Sequence, residues 1–240
     1  MKKSTIFSIL CIFLLIPATL YLGTTLPGRW FYLTSTLIII ETMIPFFLAF
    51  ETRKPQAREL VTIAVMAAIA AVSRMAFAFI PHFKPITAII MITGMAFGAQ
   101  AGFLTGTIAA FASNFAFGQG PWTPWQMMAY GIGGFLAGLV FYKRKMTKNS
   151  LSNALIRAAF GFVCIMICVG PLLDACTIFT TGSVISWPYA LGILASGLPV
   201  NLTHGVACFL TLLLFSNPLL DKLDRIKVKY GMMEAENRGI

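Results

Sequence analysis

GAQAGFLTGTIAAFASNFAFGQGPWTPWQMMAYGIGGFLAG, residues 98–138, contains no Asp, Glu, Lys or Arg. The charge-free run extends outward to Pro85 and Tyr142, and a second one spans Ala175 to Leu220. A soluble domain carries roughly 25% charged residues; here only 11% of 240 residues are charged and 58% are apolar. Apolar runs this long cannot be covered by a polar surface, so the chain is read as an integral membrane protein. The net charge of +10 does not indicate a nucleic-acid partner, because the basic residues lie in short patches between apolar spans. The fold class is all-α: a polytopic membrane helix bundle.

Within the quoted stretch, Gly98, Gly102, Gly106 and Ala110 recur every four residues, and Asn114 and Gly118 continue the row. Small residues at this spacing let helix backbones approach closely where lipid offers no hydrophobic drive. The row therefore faces another helix, and Asn114 faces the bundle interior, where an amide needs a partner. Gly131, Gly134, Ala137 and Gly138 form a second close-packing face.

Eight helices are predicted: residues 4–22, 30–50, 58–80, 85–97, 98–117, 124–142, 152–173 and 187–215. The first, behind Lys2 and Lys3, reads as a span or alternatively as a signal peptide. With both termini in the cytoplasm, fifteen of the eighteen basic residues fall inside, the exceptions being Arg29, Arg74 and Lys84. The loops Pro81–Lys84, Gly118–Thr123 and Asp174–Ser186 then share the outer side. The organisation is read as an N-terminal extension (1–57) with two spans, a six-helix core (58–220) and a basic cytoplasmic tail (221–240).

Candidate ligand residues gather on the outer side. Trp122 and Trp125 offer ring faces, and Asn114, Gln119 and Gln126 offer donors and acceptors. Each has a plainer reading, as interface anchors or helix-to-helix contacts. Arg74 is expected either to pair with Asp174 or snorkel, or to meet an acidic group on a ligand. Lys84 and His82 read as loop residues at the membrane surface. Asn201 and His204 lie one turn apart on the last helix. Glu41, mid-span in the second helix, must pair, protonate or face a partner. Five scattered cysteines give neither a disulfide framework nor metal-ligand spacing, so no metal, cofactor or catalytic residue is assigned. No GxxxxGK[ST] phosphate loop is present, so energy for any transport must come from another subunit.

The wording ASNFAFGQGPWTPWQMMAYGIGGFLAG, with IPHFKP and an Ala-rich helix before it, resembles the substrate-binding S component of energy-coupling factor (ECF) transporters. FGQGPWTPWQM is most similar to the cobalamin-type members. The resemblance covers about Arg58 to Phe215. It implies a vitamin or related micronutrient bound near the outer face, and association with a membrane T component and two cytoplasmic ATPases. It also implies ligand contact by the three outer loops; together with the helix ends beside them, the candidate substrate-binding residues are Asn114, Gln119, Trp122, Trp125, Gln126, Arg74, Lys84 and Asp174. The family's Ala-x-x-x-Ala docking motif matches both Ala64/Ala68 and Ala67/Ala71, with the choice open. For a corrinoid, His82, His204 or a Cys is a cobalt ligand to consider. The rival classes are an S component for another vitamin, an intramembrane enzyme and a membrane scaffold. The enzyme is disfavoured because Asp174 is the only acid in the outer loops.

Overall fold

The computed structural model describes residues 14–25, 30–52, 55–142, 151–181 and 186–232. Expectations that fall on residues 1–13, 26–29 (Arg29 among them), 53–54, 143–150, 182–185 and 233–240 lie outside these. The described residues form helices and turns with no strand: α1 (Ile16–Thr25), α2 (Trp30–Thr52), α3 (Ala57–Ala76), α4 (Ile86–Phe97), α5 (Ala99–Phe117), α6 (Trp122–Phe141), α7 (Leu151–Cys164), a π-helical turn (Ile165–Val169), α8 (Gly170–Thr181) and α9 (Trp187–Tyr230). Four helical stretches are long and apolar enough to cross a membrane: Leu33–Thr52, Ala57–Ala76, Leu151–Thr181 and Trp187–Tyr230. The protein is a multi-pass all-α membrane bundle.

The centre of the bundle is α4. Its 12 residues are all buried, and they rise only about 18 Å, well short of a hydrocarbon core of about 30 Å. A helix that is apolar all round belongs inside a protein, and α3, α5, α6 and α9 enclose this one. Gly98, at φ 96°, joins α4 to α5; that left-handed conformation suits a residue without a Cβ.

The glycine row of α5 meets the glycine face of α6. A Cβ on Gly102 would lie 2.6 Å from the carbonyl carbon of Gly134 and 2.7 Å from the Cα of Gly94, so three backbones converge there. A Cβ on Gly106 would lie 2.6 Å from backbone atoms of Tyr130 and Gly131. The predicted close-packing faces are thus each other's partners.

Three boundaries differ from the expectation. The third helix stops at Ala76 rather than Ile80, and Phe77–Phe83 follows as a chain of turns, with Ala78 N bonding Met75 O, Ile80 N bonding Phe77 O and Phe83 N bonding Ile80 O. Phe77 packs there against Phe79 and Phe83, and those ring contacts hold the segment off the helix axis. Asp174 lies inside α8, not in a loop, because the helix passes through the π-turn and continues to Thr181. The last helix runs on past Phe215 to Tyr230. Leu219, Leu220, Leu223 and Ile226 are apolar at helical spacing and pack on the core, and the Lys227–Asp224 pair (2.8 Å) supports the last turns. Gly231 ends it at φ 58°, its N–H reaching Lys227 O and Val228 O.

The N-terminal pair packs on this core through α2. Phe46 stacks on Phe103 (4.2 Å between centroids) and meets Phe135 edge-on. Glu41 is buried and accepts a 2.7 Å hydrogen bond from Thr19 Oγ1 of α1. Of the three outcomes open for Glu41, to pair, protonate or face a partner, the structure shows a hydrogen-bond partner at Oε1, while Oε2 has none among the described residues.

Candidate functional site

At one end of the bundle the Phe77–Lys84 turns, the α5–α6 junction, α8 and the first half of α9 surround a cleft with two lobes. The first, about 450 Å³, lies among Arg74, Phe83, Lys84, Phe117, Trp122 and Gln126. The second, about 350 Å³, lies among Lys84, Trp122, Gln126, Asp174, Asn201 and His204. Lys84, Trp122 and Gln126 are common to both and form the partition.

A buried polar chain builds the first lobe's wall. Arg74 Nη1 donates to Ser113 Oγ (2.7 Å) and Asn114 Oδ1 (2.9 Å). Asn114 Nδ2 donates to Thr123 Oγ1 (3.1 Å), which in turn donates to Gln119 Oε1 (2.9 Å). Gln119 Nε2 closes back on Phe111 O (3.0 Å), and Trp122 Nε1 on Gly118 O (3.3 Å). The row of small residues on α5 decides this: it lays Asn114 against α3 and the α5–α6 turn, where both ends of the amide find partners. Such a chain fixes the turn and presents Trp122, 43% exposed, to the cleft.

The second lobe's wall comes from α8 and α9. Asn201 Nδ2 donates to Asp174 Oδ2 at 2.7 Å. The two side chains seat on glycines of the opposite helix: a Cβ on Gly170 would meet Asn201, and one on Gly197 would meet Asp174. His204 Nε2 lies 2.8 Å from Thr87 Oγ1 of α4. Thr177 and Ser196 add hydroxyls to the rim.

Of the eight predicted ligand residues, the structure brings Arg74, Lys84, Asn114, Trp122, Gln126 and Asp174 to the cleft. Gln119 lies in the adjoining turn and lines neither lobe. Trp125 is buried, stacks on Phe179 (5.7 Å) and packs with Ile39 and with Cys176 behind the second lobe, and lines neither lobe itself. The expected alternative of Arg74 pairing with Asp174 is not realised, because Asn114 takes Arg74 into one lobe and Asn201 holds Asp174 in the other. Asn201, His204, Phe77 and Phe83 line the cleft beyond the predicted ligand residues. The i,i+3 spacing of Asn201 and His204 was the legible signal.

The docking alternatives separate by burial. Ala67 and Ala71 are 1% and 4% exposed, whereas Ala64 and Ala68 lie on the exposed face of α3. Around that pair Leu60, Val61, Val65, Ile69 and Val72 are also exposed. Among the described residues no group of three or more His, Cys, Asp or Glu is placed to hold a metal.

No match is found among curated proteins or among solved structures. Residues 54–220 match the family described as ECF-type riboflavin transporter, S component. That stretch carries every residue named above as lining the cleft. The match bears out the S-component resemblance but not its cobalamin-type refinement. It is a family of transporter components, not of enzymes. Over more than two thirds of its length, then, this membrane bundle is an ECF S component, and the chain belongs to the family of ECF-type riboflavin transporter S components.

Proposed function

We propose that the two-lobed cleft binds riboflavin or a close flavin relative at the extracellular face, and that the chain hands it to a T component driven by two cytoplasmic ATPases. The observation that carries this reading is the cleft itself, which lies wholly within the family-matched residues. Lobes of this size suit a ligand of drug-like dimensions, mostly apolar with a few convergent polar groups. A corrinoid is much larger than either lobe. Trp122 at the partition offers a stacking face to a planar ring. Gln126 Oε1 is buried without a donor among the described residues, so a ring N–H or a hydroxyl would satisfy it. Asp174, Asn201, Thr177 and Ser196 supply acceptors and donors of the kind the polar edge of a flavin ring and the hydroxyls beside it require.

The orientation belongs to the same proposal: N-terminus and C-terminus inside, cleft outside, following the distribution of basic residues. We assign partner docking to Ala64 and Ala68, since their face is open and Ala67 and Ala71 are occupied by packing. Asn114 and Gln119 act by holding the α5–α6 turn, and Trp125 by anchoring α6 to α2 and α8. Residues 58–220 form the core in this reading, with 1–57 as an added pair of spans and 221–240 as the cytoplasmic end.

Mass spectrometry of the small molecule that co-purifies with the protein tests the proposal. A flavin is expected. A corrinoid, or a vitamin without a planar ring, overturns it.

A further inference from the structure

The two lobes differ in charge. Around the first stand the guanidinium of Arg74, the ammonium of Lys84 and the imidazole of His82, and no Asp or Glu lines it. The single carboxylate of the cleft, Asp174, is on the other side of the partition. Arg74 is 7% exposed, yet no carboxylate pairs with it among the described residues. Its bonds to Ser113 and Asn114 both leave from Nη1. One face of the guanidinium lies over the Phe117 ring, 4.5 Å from the centroid. Nε and Nη2 therefore have no acceptor among the described residues, and the residue lines the lobe.

A buried arginine held by neutral partners, with part of its fork unused, is costly unless something anionic meets it. Fixing Nη1 and stacking the plane on a ring also orients the fork, which is the arrangement that recognises a phosphate or carboxylate bidentately. Two cations suit a phosphate monoester, which carries a charge of roughly −1.5 to −2 at pH 7. Resting on the flavin reading above, we propose that the Arg74–Lys84 lobe is a phosphate subsite, so that the protein favours a flavin bearing a terminal phosphate monoester over the neutral vitamin. In such a ligand the phosphate ends the hydroxyl chain, so the chain crosses the partition at Lys84, Trp122 and Gln126 and the ring edge faces Asp174 and Asn201. A phospholipid headgroup shares the phosphate chemistry and is the other source the experiment must separate.

The test is a titration of the full-length protein in nanodiscs of phosphatidylcholine with riboflavin and with flavin mononucleotide, read by quenching of flavin fluorescence. The expected result is tighter binding of the mononucleotide by about tenfold or more at low salt, the advantage shrinking as salt rises. Lys84→Gln and Arg74→Gln should each reduce the ratio of the two affinities about tenfold, whatever they do to riboflavin itself. Arg74→Lys should restore part of the ratio, which a purely structural arginine would not require. Equal affinity for both flavins, or a ratio untouched by Lys84→Gln, overturns the phosphate subsite and leaves the flavin reading standing. Binding of neither flavin overturns both. Repeating the titration in nanodiscs containing phosphatidylglycerol separates the sources. Unchanged mononucleotide affinity supports a ligand phosphate, whereas a loss that Lys84→Gln abolishes assigns the lobe to lipid and overturns the proposal.

Discussion

Adding one methyl group at Gly102 should destabilise the protein, while the same change at Gly192 should not. At Gly102 the new Cβ would sit 2.6 Å from the Gly134 carbonyl carbon and 2.7 Å from the Gly94 Cα. These are backbone atoms of α6 and α4, so relief requires whole helices to separate. Overpacking costs about 1–3 kcal/mol, and backbone neighbours place this case at the upper end. Alanine's better helix propensity returns about 1 kcal/mol. The net loss is about 2 kcal/mol, or a fall in Tm of about 4–8 °C for a chain of this size. At Gly192 a Cβ meets nothing within 4 Å, so only the propensity gain of about 0.5–1 kcal/mol remains, raising Tm by about 1–4 °C. Gly133→Ala is intermediate, its Cβ touching the Val169 Cγ2 at 3.3 Å. Thermal unfolding of the three purified variants in one detergent decides the matter. A Gly102→Ala protein as stable as wild type, or the same shift at Gly102 and Gly192, would refute the three-helix junction.

Other outcomes follow from the same geometry. Ala64→Leu with Ala68→Leu should abolish co-purification with a T component and ATPases while leaving Tm within a few degrees. Ala67→Leu, on the buried side, should instead lower Tm. Asn114→Ala removes one of the two acceptors of a buried guanidinium and the donor to Thr123, a loss of about 1.5–3 kcal/mol, readable as reduced Tm together with weaker ligand binding. Phe79→Cys, at a position 79% exposed near the cleft, should react with a membrane-impermeant maleimide added to intact cells. Labelling only after the cytoplasm is opened would reverse the proposed orientation.

The bundle was legible because its signals are local. Charge-free runs mark the spans, and four-residue glycine spacing marks the α5 and α6 contact faces. That these faces pair with each other was not legible, since spacing names a face and not its partner. The ends of helices were harder. Nothing in the sequence around Leu173 reports a π-turn that carries the helix on through Asp174, and the ring cluster of Phe77, Phe79 and Phe83 depends on contacts across a turn. The site was half legible for the same reason. Polar and aromatic types located the α5–α6 junction, but a hydrogen-bonding side chain reads alike whether it faces a ligand or a neighbouring helix. Only the fold shows that Asn114 is spent on Arg74 and Thr123, that Trp125 is packed beneath Phe179, and that Asn201 completes the opposite wall. The family match supports the S component and not the cobalamin-type refinement. In FGQGPWTPWQM, the stretch most similar to cobalamin-type members, Gly118, Gln119, Trp122 and Thr123 serve the turn that any occupant of the cleft would need.

Direct titration of the purified protein with riboflavin and with cobalamin, in parallel with a Trp122→Ala, Gln126→Ala variant, tests the central claim. Riboflavin binding at or below micromolar concentration, at least tenfold weaker in the variant and without measurable cobalamin binding, is the predicted result. Cobalamin binding without flavin binding, or flavin binding indifferent to the loss of both partition residues, would contradict it.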